Sequence, residues 1–282
     1  MSRHSGPDLR SLRDPVVVVA FGGWNDGGGA ASGVVDHLSD VYDATSVFEL
    51  DPDDFYDFQV SRPQVHVPEA DERVVSWPTT ELKVSRLGDG RDLLLVSGIE
   101  PNFRWRQFTR LLVSALRSAD VRRVYLLGAL LADNPHTRPI PVSVTTRGAE
   151  LADALGVDVS TYEGPTGILG VLGDELDGLG VEVISLWAAV PHYVSHPPCP
   201  KATLALLSRL EDLLDSTLEM GDLPELSKAW ERGVDELAAD DSEVADYVAT
   251  LEEQRDTAEL PEASGDAIAA EFERYLRRRQ GG

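Results

Sequence analysis

Val16-Val17-Val18-Val19-Ala20-Phe21-Gly22-Gly23-Trp24-Asn25-Asp26-Gly27-Gly28-Gly29 decides the fold class of this chain. Four consecutive β-branched residues predict a strand buried on both faces. Five glycines in the next eight positions allow a tight, crowded turn, and helix-forming residues resume at Ala30. A loop that leaves the carboxyl end of a parallel strand and feeds a helix lies where open α/β sheets hold ligands. Gly22, Gly23, Trp24, Asn25, Gly27 and Gly28 are therefore the candidate ligand-binding positions. The glycines have neither dinucleotide-binding nor phosphate-loop spacing, no lysine accompanies them, and Asp26 opposes an anion beside it.

The same alternation continues outward from this unit. Thr45–Leu50 reads as a second strand, and Glu81–Arg86 with Asp92–Val96 as a hairpin. Residues 51–80 form an irregular insert with short edge strands. Trp105–Leu116 has helical spacing, Arg123–Leu130 is a hydrophobic strand, and Thr145–Ala154 reads mostly as helix. A further helix starts at Ile168, Val181–Ala189 is a late core strand, and Lys201–Leu214 is an apolar helix. Strands alternating with helices predict an α/β sheet covered on both faces, and the insert makes that sheet mixed. The expected core domain spans residues 1–215.

From Glu211 the composition shifts. Residues 211–282 hold 21 Asp plus Glu against 7 Lys plus Arg, a net of −14 out of −24 for the whole chain. Leu223–Ala239, Ser242–Gln254 and Asp266–Arg279 read as helices, with stripes at Trp230, Val234 and Leu237 and at Val244, Tyr247, Val248 and Leu251. Ser264 and Arg277, Arg278 and Arg279 suit the two ends of the last one. Residues 216–282 are thus expected to form an acidic helical extension with packable faces.

Charge bounds the partners. With 49 acids against 25 Lys plus Arg, the surface repels nucleic acid and anionic lipid. No apolar run approaches the roughly 20 residues of a membrane span, and the first fifteen residues lack an apolar signal core, so a cytoplasmic location is expected. A single cysteine, Cys199, allows neither an internal disulfide nor a cysteine zinc site. His192 and His196 are four apart, but Pro191, Pro197 and Pro198 break the helix that would present both to a metal. No cofactor and no metal are expected.

Polar residues gather at the predicted strand ends. A base could come from His136 or His192 and an acid from Asp26 or Glu100, if the sheet brings them to one edge. The alternative is that they cap helices and satisfy loop backbones. Phe55, Tyr56 and Phe58 put three rings in an Asp- and Pro-broken loop, which implies packing against the body or a subunit contact.

Five ordered segments carry a family resemblance: Phe21–Gly33, Ser97–Pro101, Gly128–Pro139, Tyr162–Gly167 and Ser185–Tyr193. Together they resemble the PAC2 family, the proteasome assembly chaperone 2-like proteins, in its actinobacterial branch. The resemblance implies a three-layer mixed-sheet fold of phosphorylase/hydrolase-like type, homo-oligomers, proteasome subunits as partners and no established enzymatic activity. Some archaeal members dock through a carboxyl-terminal hydrophobic-Tyr-any tail. Here Tyr275 follows Arg274, and the sequence finishes Arg279-Gln280-Gly281-Gly282. The leading expectation is a non-enzymatic, homo-oligomeric assembly or scaffold protein. The alternative is a small-ligand-binding protein or enzyme with its site at the strand ends.

Overall fold

The computed structural model describes residues 3–4, 8–67 and 73–259. Its frame is a nine-stranded sheet of β1 (Arg3–His4), β2 (Val16–Gly22), β3 (Thr45–Glu49), β6 (Glu81–Arg86), β7 (Asp92–Ile99), β8 (Arg123–Ala132), β9 (Val142–Thr146), β10 (Asp158–Val159) and β11 (Glu182–Pro191). Their order is β1-β3-β6-β7-β2-β8-β11-β9-β10. The valine run occupies β2, parallel to β7 on one side and β8 on the other, so Val17 to Phe21 are wholly buried. β8 and β11 are also parallel, whereas β3 and β6 pair antiparallel with their neighbours, and β9 is antiparallel to β11 but parallel to β10. The sheet is mixed, as the sequence predicts, and two hydrophobic clusters flank it.

On one face lie α1 (Ala30–Val41) and α5 (Pro200–Leu214); on the other lie α2 (Trp105–Ser118) and α4 (Ile168–Asp177). Alternate residues of the central strands serve the two clusters: Val18 and Ala20 face α1, and Val17, Val19 and Phe21 face α2. The acidic helices α6 (Leu223–Asp240) and α7 (Ser242–Glu259) follow, with α6 laid on α5 and α7 on α6. Val234, Val248 and Leu251 face inward as expected. Leu237 does not: it is exposed, and Ala238 is the buried residue on that turn. The expected helix over Asp266–Arg279, with Ser264 and Tyr275, lies outside the described residues.

One stretch corrects the sequence reading. Residues 142–146 form strand β9, and the helix α3 begins only at Ala149 and ends at Leu155. Four of the five residues of Val142-Ser143-Val144-Thr145-Thr146 are β-branched, and β9 gains a full ladder against β11, from Ala188↔Val142 to Ile184↔Thr146. The 51–80 insert is also more ordered than expected. β4 (Gln64–His66) and β5 (Val74–Ser76) pair as a separate antiparallel ribbon whose residues are all exposed. Phe58 meets Trp77 edge-on at its base, with ring centroids 4.8 Å apart.

Candidate functional site

The carboxyl edge of the parallel strands divides into two flanks. The glycine loop starts the first. Gly28 has φ +63°, and a Cβ there would lie 2.8 Å from Cys199 Cβ, so only glycine fits this crossing. Beyond it, the Asp26 carboxylate accepts from the Ala31 and Ser32 amides at 2.8 and 3.2 Å and from the Ser32 hydroxyl at 2.5 Å. Asp26 therefore holds the first turn of α1. Burial pushes its acid upward, against the opposing pull of those hydrogen bonds.

Asn25, 3% exposed, is fixed from three sides. Its carbonyl accepts the Ala129 amide at 2.8 Å, its side-chain amide donates to Glu100 Oε1 at 3.2 Å, and it packs against Gly167. The same Glu100 oxygen accepts the Ile168 amide at 2.8 Å, at the positive end of α4. Glu100 thus couples the glycine loop to α4. Gly23, Trp24, Asn25 and Gly27 line a cavity of about 730 Å³ on the α4 side of the sheet, while Gly22 and Gly28 lie outside its lining.

The floor of that cavity comes from strand faces that α4 leaves uncovered. Trp187 on β11 sits opposite Gly128 on β8 and Ser143 on β9, and Ser185 sits opposite Thr145. The benzo ring of Trp187 lies over Gly128, where a Cβ would come within 2.5 Å of it. Exposed Trp24, Leu130, Leu131 and Tyr162 form the rim. Arg147, just past β9, closes one side and is ion-paired through Nη1 to Asp174 on α4. Sequence reasoning missed Thr145 and Arg147 because it put them on a helix, and Ser143 because it assigned that residue to no element. The period-2 alternation of 142–146 is the signal that would have placed Ser143 and Thr145 together on one face.

The second flank is sealed. His136, 1% exposed, receives a backbone and a side-chain contact from one hydroxyl: its amide donates to Tyr193 Oη at 2.7 Å, and Nδ1 lies 2.7 Å from the same oxygen. His136 Nε2 lies 3.0 Å from Asp235 Oδ1. Burial pushes the Tyr193 hydroxyl up to about 12. Asp235 belongs to α6, and it is one of several acids docked here. Lys201 donates to the His136 carbonyl and to Glu231 at 2.5 Å. Arg138 forks onto Asp256 through two bonds of 2.8 Å and reaches Glu252 at 3.2 Å. The Arg138 bonds hold the Asp256 carboxyl below its ordinary range. His192 lies 3.3 Å from Asp133, which also accepts from Tyr247 at 3.0 Å.

The four acid–base candidates are therefore not gathered into one set. Glu100 joins Asn25 to α4, Asp26 caps α1, His136 binds α6, and His192 stands with Asp133 and Tyr247. Among the described residues no hydrogen bond joins either carboxylate to either histidine. Cys199 is buried, and its thiol is pushed up by that burial, the reverse of nucleophile activation. Phe55 and Tyr56 are buried within their own chain: Phe55 meets Phe108 edge-on at 5.4 Å, and the Tyr56 hydroxyl bonds Thr80 at 2.8 Å and the Ile99 carbonyl at 3.1 Å. Phe58 is partly buried beneath the ribbon. Among the described residues, no three metal-ligating side chains cluster and no helix is long and apolar enough to cross a membrane.

Residues 20–238 match the model of the PAC2 family. The fold is similar to that of a PAC2 family protein from Streptomyces avermitilis, 53% identical, with 83% of this chain and 100% of that one covered at a TM-score of 0.78. A proteasome-assembly chaperone homologue from Mycobacterium tuberculosis is 46% identical over 83% of this chain and 99% of its own, at 0.75. Pyrococcus furiosus PbaB, an archaeal proteasome activator, shares the fold at 18% identity and 0.66, covering 84% and 98%. Among curated proteins none matches.

Proposed function

This chain belongs to the PAC2 family, and we propose that it is a non-enzymatic assembly or scaffold protein of the cytoplasm that forms homo-oligomers and acts on proteasome subunits. The observation that carries the proposal is the 46% identity, over nearly the whole of the other chain, to a proteasome-assembly chaperone homologue. The site chemistry supports it. Each residue suited to acid–base work is engaged in holding a helix or a loop, which is what a scaffold requires of its strand ends.

A protein contact surface is available in the β4–β5 ribbon. Val65, Val67, Val74, Val75 and Trp77 are all exposed there, each at 47% or more. Two short strands alone are marginally stable in water, and apolar side chains so displayed favour a protein partner. The expected interface thus moves from the buried Phe55 and Tyr56 to the ribbon that Phe58 supports.

The test is co-expression of the full chain with proteasome α-subunits, followed by co-purification and light scattering. The wild type is expected to associate with α-subunits and with itself. Val75→Asp combined with Trp77→Asp is expected to lose association while keeping its circular dichroism. Repeated failure of the wild type to recover α-subunits, when those subunits are shown to be intact, overturns the proteasome reading. A monomeric wild type overturns the oligomeric one.

A further inference from the structure

The cavity beside Trp24 lies apart from the ribbon assigned to protein contact, and its lining is unusual for this chain. The sequence holds 49 acids, yet none of the residues lining the cavity is Asp or Glu, and one, Arg147, is a cation. An acid-free recess with a guanidinium at its side, in a chain of net −24, selects for negative charge.

Size and polarity agree with that. About 730 Å³ falls inside the range of pockets that bury small organic ligands, which are walled by apolar and aromatic groups with a few fixed polar ones. Here Trp24, Trp187, Leu130 and Leu131 supply the apolar surface. Ser143, Thr145 and Ser185 supply hydroxyls across the floor.

The polar groups are held in place before any ligand arrives. The Asn25 carboxamide is held by its bond to Glu100 and by packing on Gly167, while the Ala129 amide fixes its main chain. Asp174 holds Arg147 by one terminal nitrogen, and among the described residues no hydrogen bond engages the rest of the guanidinium. Asp174 stands outside the lining, so an anion in the cavity would share the guanidinium with it. The amino end of α4 also borders the cavity through Gly167, Leu169 and Gly170, adding positive potential. Glu100 takes up one amide of that end, which directs a ligand's charge toward Arg147.

We propose that this cavity binds a small organic anion with an aromatic body, the ring lying among Trp24, Trp187 and Leu130 and the acid group pairing with Arg147. Stacking on the indoles would supply most of the binding energy, and the partly engaged guanidinium would select charge.

Two dyes of nearly the same shape test this on the full chain: anionic 1-anilinonaphthalene-8-sulfonate and neutral N-phenyl-1-naphthylamine. The wild type is expected to bind the anionic dye saturably at one site per chain, with energy transfer from tryptophan. Arg147→Gln is expected to weaken the anionic dye about tenfold and the neutral one by less than about twofold. Ser185→Trp, which fills the floor, is expected to abolish both. Ser143→Phe fills the same floor from β9 and stands in if the first variant fails to fold by circular dichroism.

Dye binding that survives the filled cavity overturns the proposal, as does equal weakening of both dyes by Arg147→Gln. So does a wild type that binds neither dye. Association with proteasome subunits is scored separately, so the scaffold reading can stand or fall without this one.

Discussion

The two flanks of the strand edge use the same residue types to opposite ends. On the Asn25 flank, a buried amide and a carboxylate stiffen the wall of an open cavity. On the His136 flank, a buried imidazole and an arginine are covered by α6 and α7, and every polar atom discussed there meets an acid, a hydroxyl or a carbonyl. The difference is not in the strands, since β2, β7, β8 and β11 are parallel throughout. It lies in what the chain does after residue 215. Among the described residues, the acidic extension returns over one flank and leaves the other uncovered. Polar strand-end residues thus become a site or a seam according to what later sequence lays over them.

The comparison breaks most readily at His136. His136→Ala removes a fully buried side chain with bonds to Tyr193 and Asp235, and is expected to cost about 3 kcal/mol in denaturant unfolding. If the cost is below about 1 kcal/mol, the seam is not held there. Glu100→Ala tests the open flank in the same way. It leaves the Ile168 amide and the Asn25 side chain without their acceptor, at about 1–2 kcal/mol, and is expected to loosen the cavity wall without freeing α6. Hydrogen exchange at α4 and α6 separates the two outcomes.

Alkaline titration probes both flanks together. Burial pushes the hydroxyls of Tyr56 and Tyr193 up to about 12. The unfolded chain ionises these groups near 10, so between about pH 10 and about pH 12 it has released protons that the folded chain retains. Stability is therefore expected to fall as pH rises through that window. Tyr56→Phe should flatten the fall in denaturant midpoint; an unchanged slope in the variant would remove Tyr56 as a cause.

Arg138→Ala is expected to matter less. Its partners Glu252 and Asp256 are partly exposed, so the loss is about 1 kcal/mol or below and shrinks with added salt. A larger, salt-independent loss would mean that α7 is docked by packing instead of charge. Smallest of all, Ser143→Ala on the cavity floor is expected to stay within about 0.5 kcal/mol of wild type in thermal unfolding. That near-neutrality would set the open flank apart from the seam, where polar groups bear on stability.

Much of this was legible before any tertiary structure. The valine run is a central strand because uninterrupted β-branched residues have no polar side to turn to water, and β2 is buried on both faces. The five motif segments identify the family. The end of β9 reads as helix because Thr145 and Thr146 adjoin a true helix, and the whole strand is only five residues long. Its ladder with β11 settled the matter, and with it the positions of Ser143, Thr145 and Arg147. Phe55 and Tyr56 were legible as packed rings, but their sequence neighbours did not reveal that the packing partners were Phe108, Thr80 and Ile99.

By itself the sequence determined the class of sheet, the tight glycine turn after β2, the acidic character of the extension and the kinship of the chain. Local pattern suffices for these because burial period, glycine conformation and charge are properties of adjacent residues. Only the tertiary structure decided which strand-end groups meet. His136 finds Asp235 across 99 positions of chain, and Asn25 finds Glu100 across 75. Such meetings depend on how parallel strands cross over and on where the last helices come to rest. Neither leaves a local mark, so a loop that looked like a single edge became one cavity and one seam.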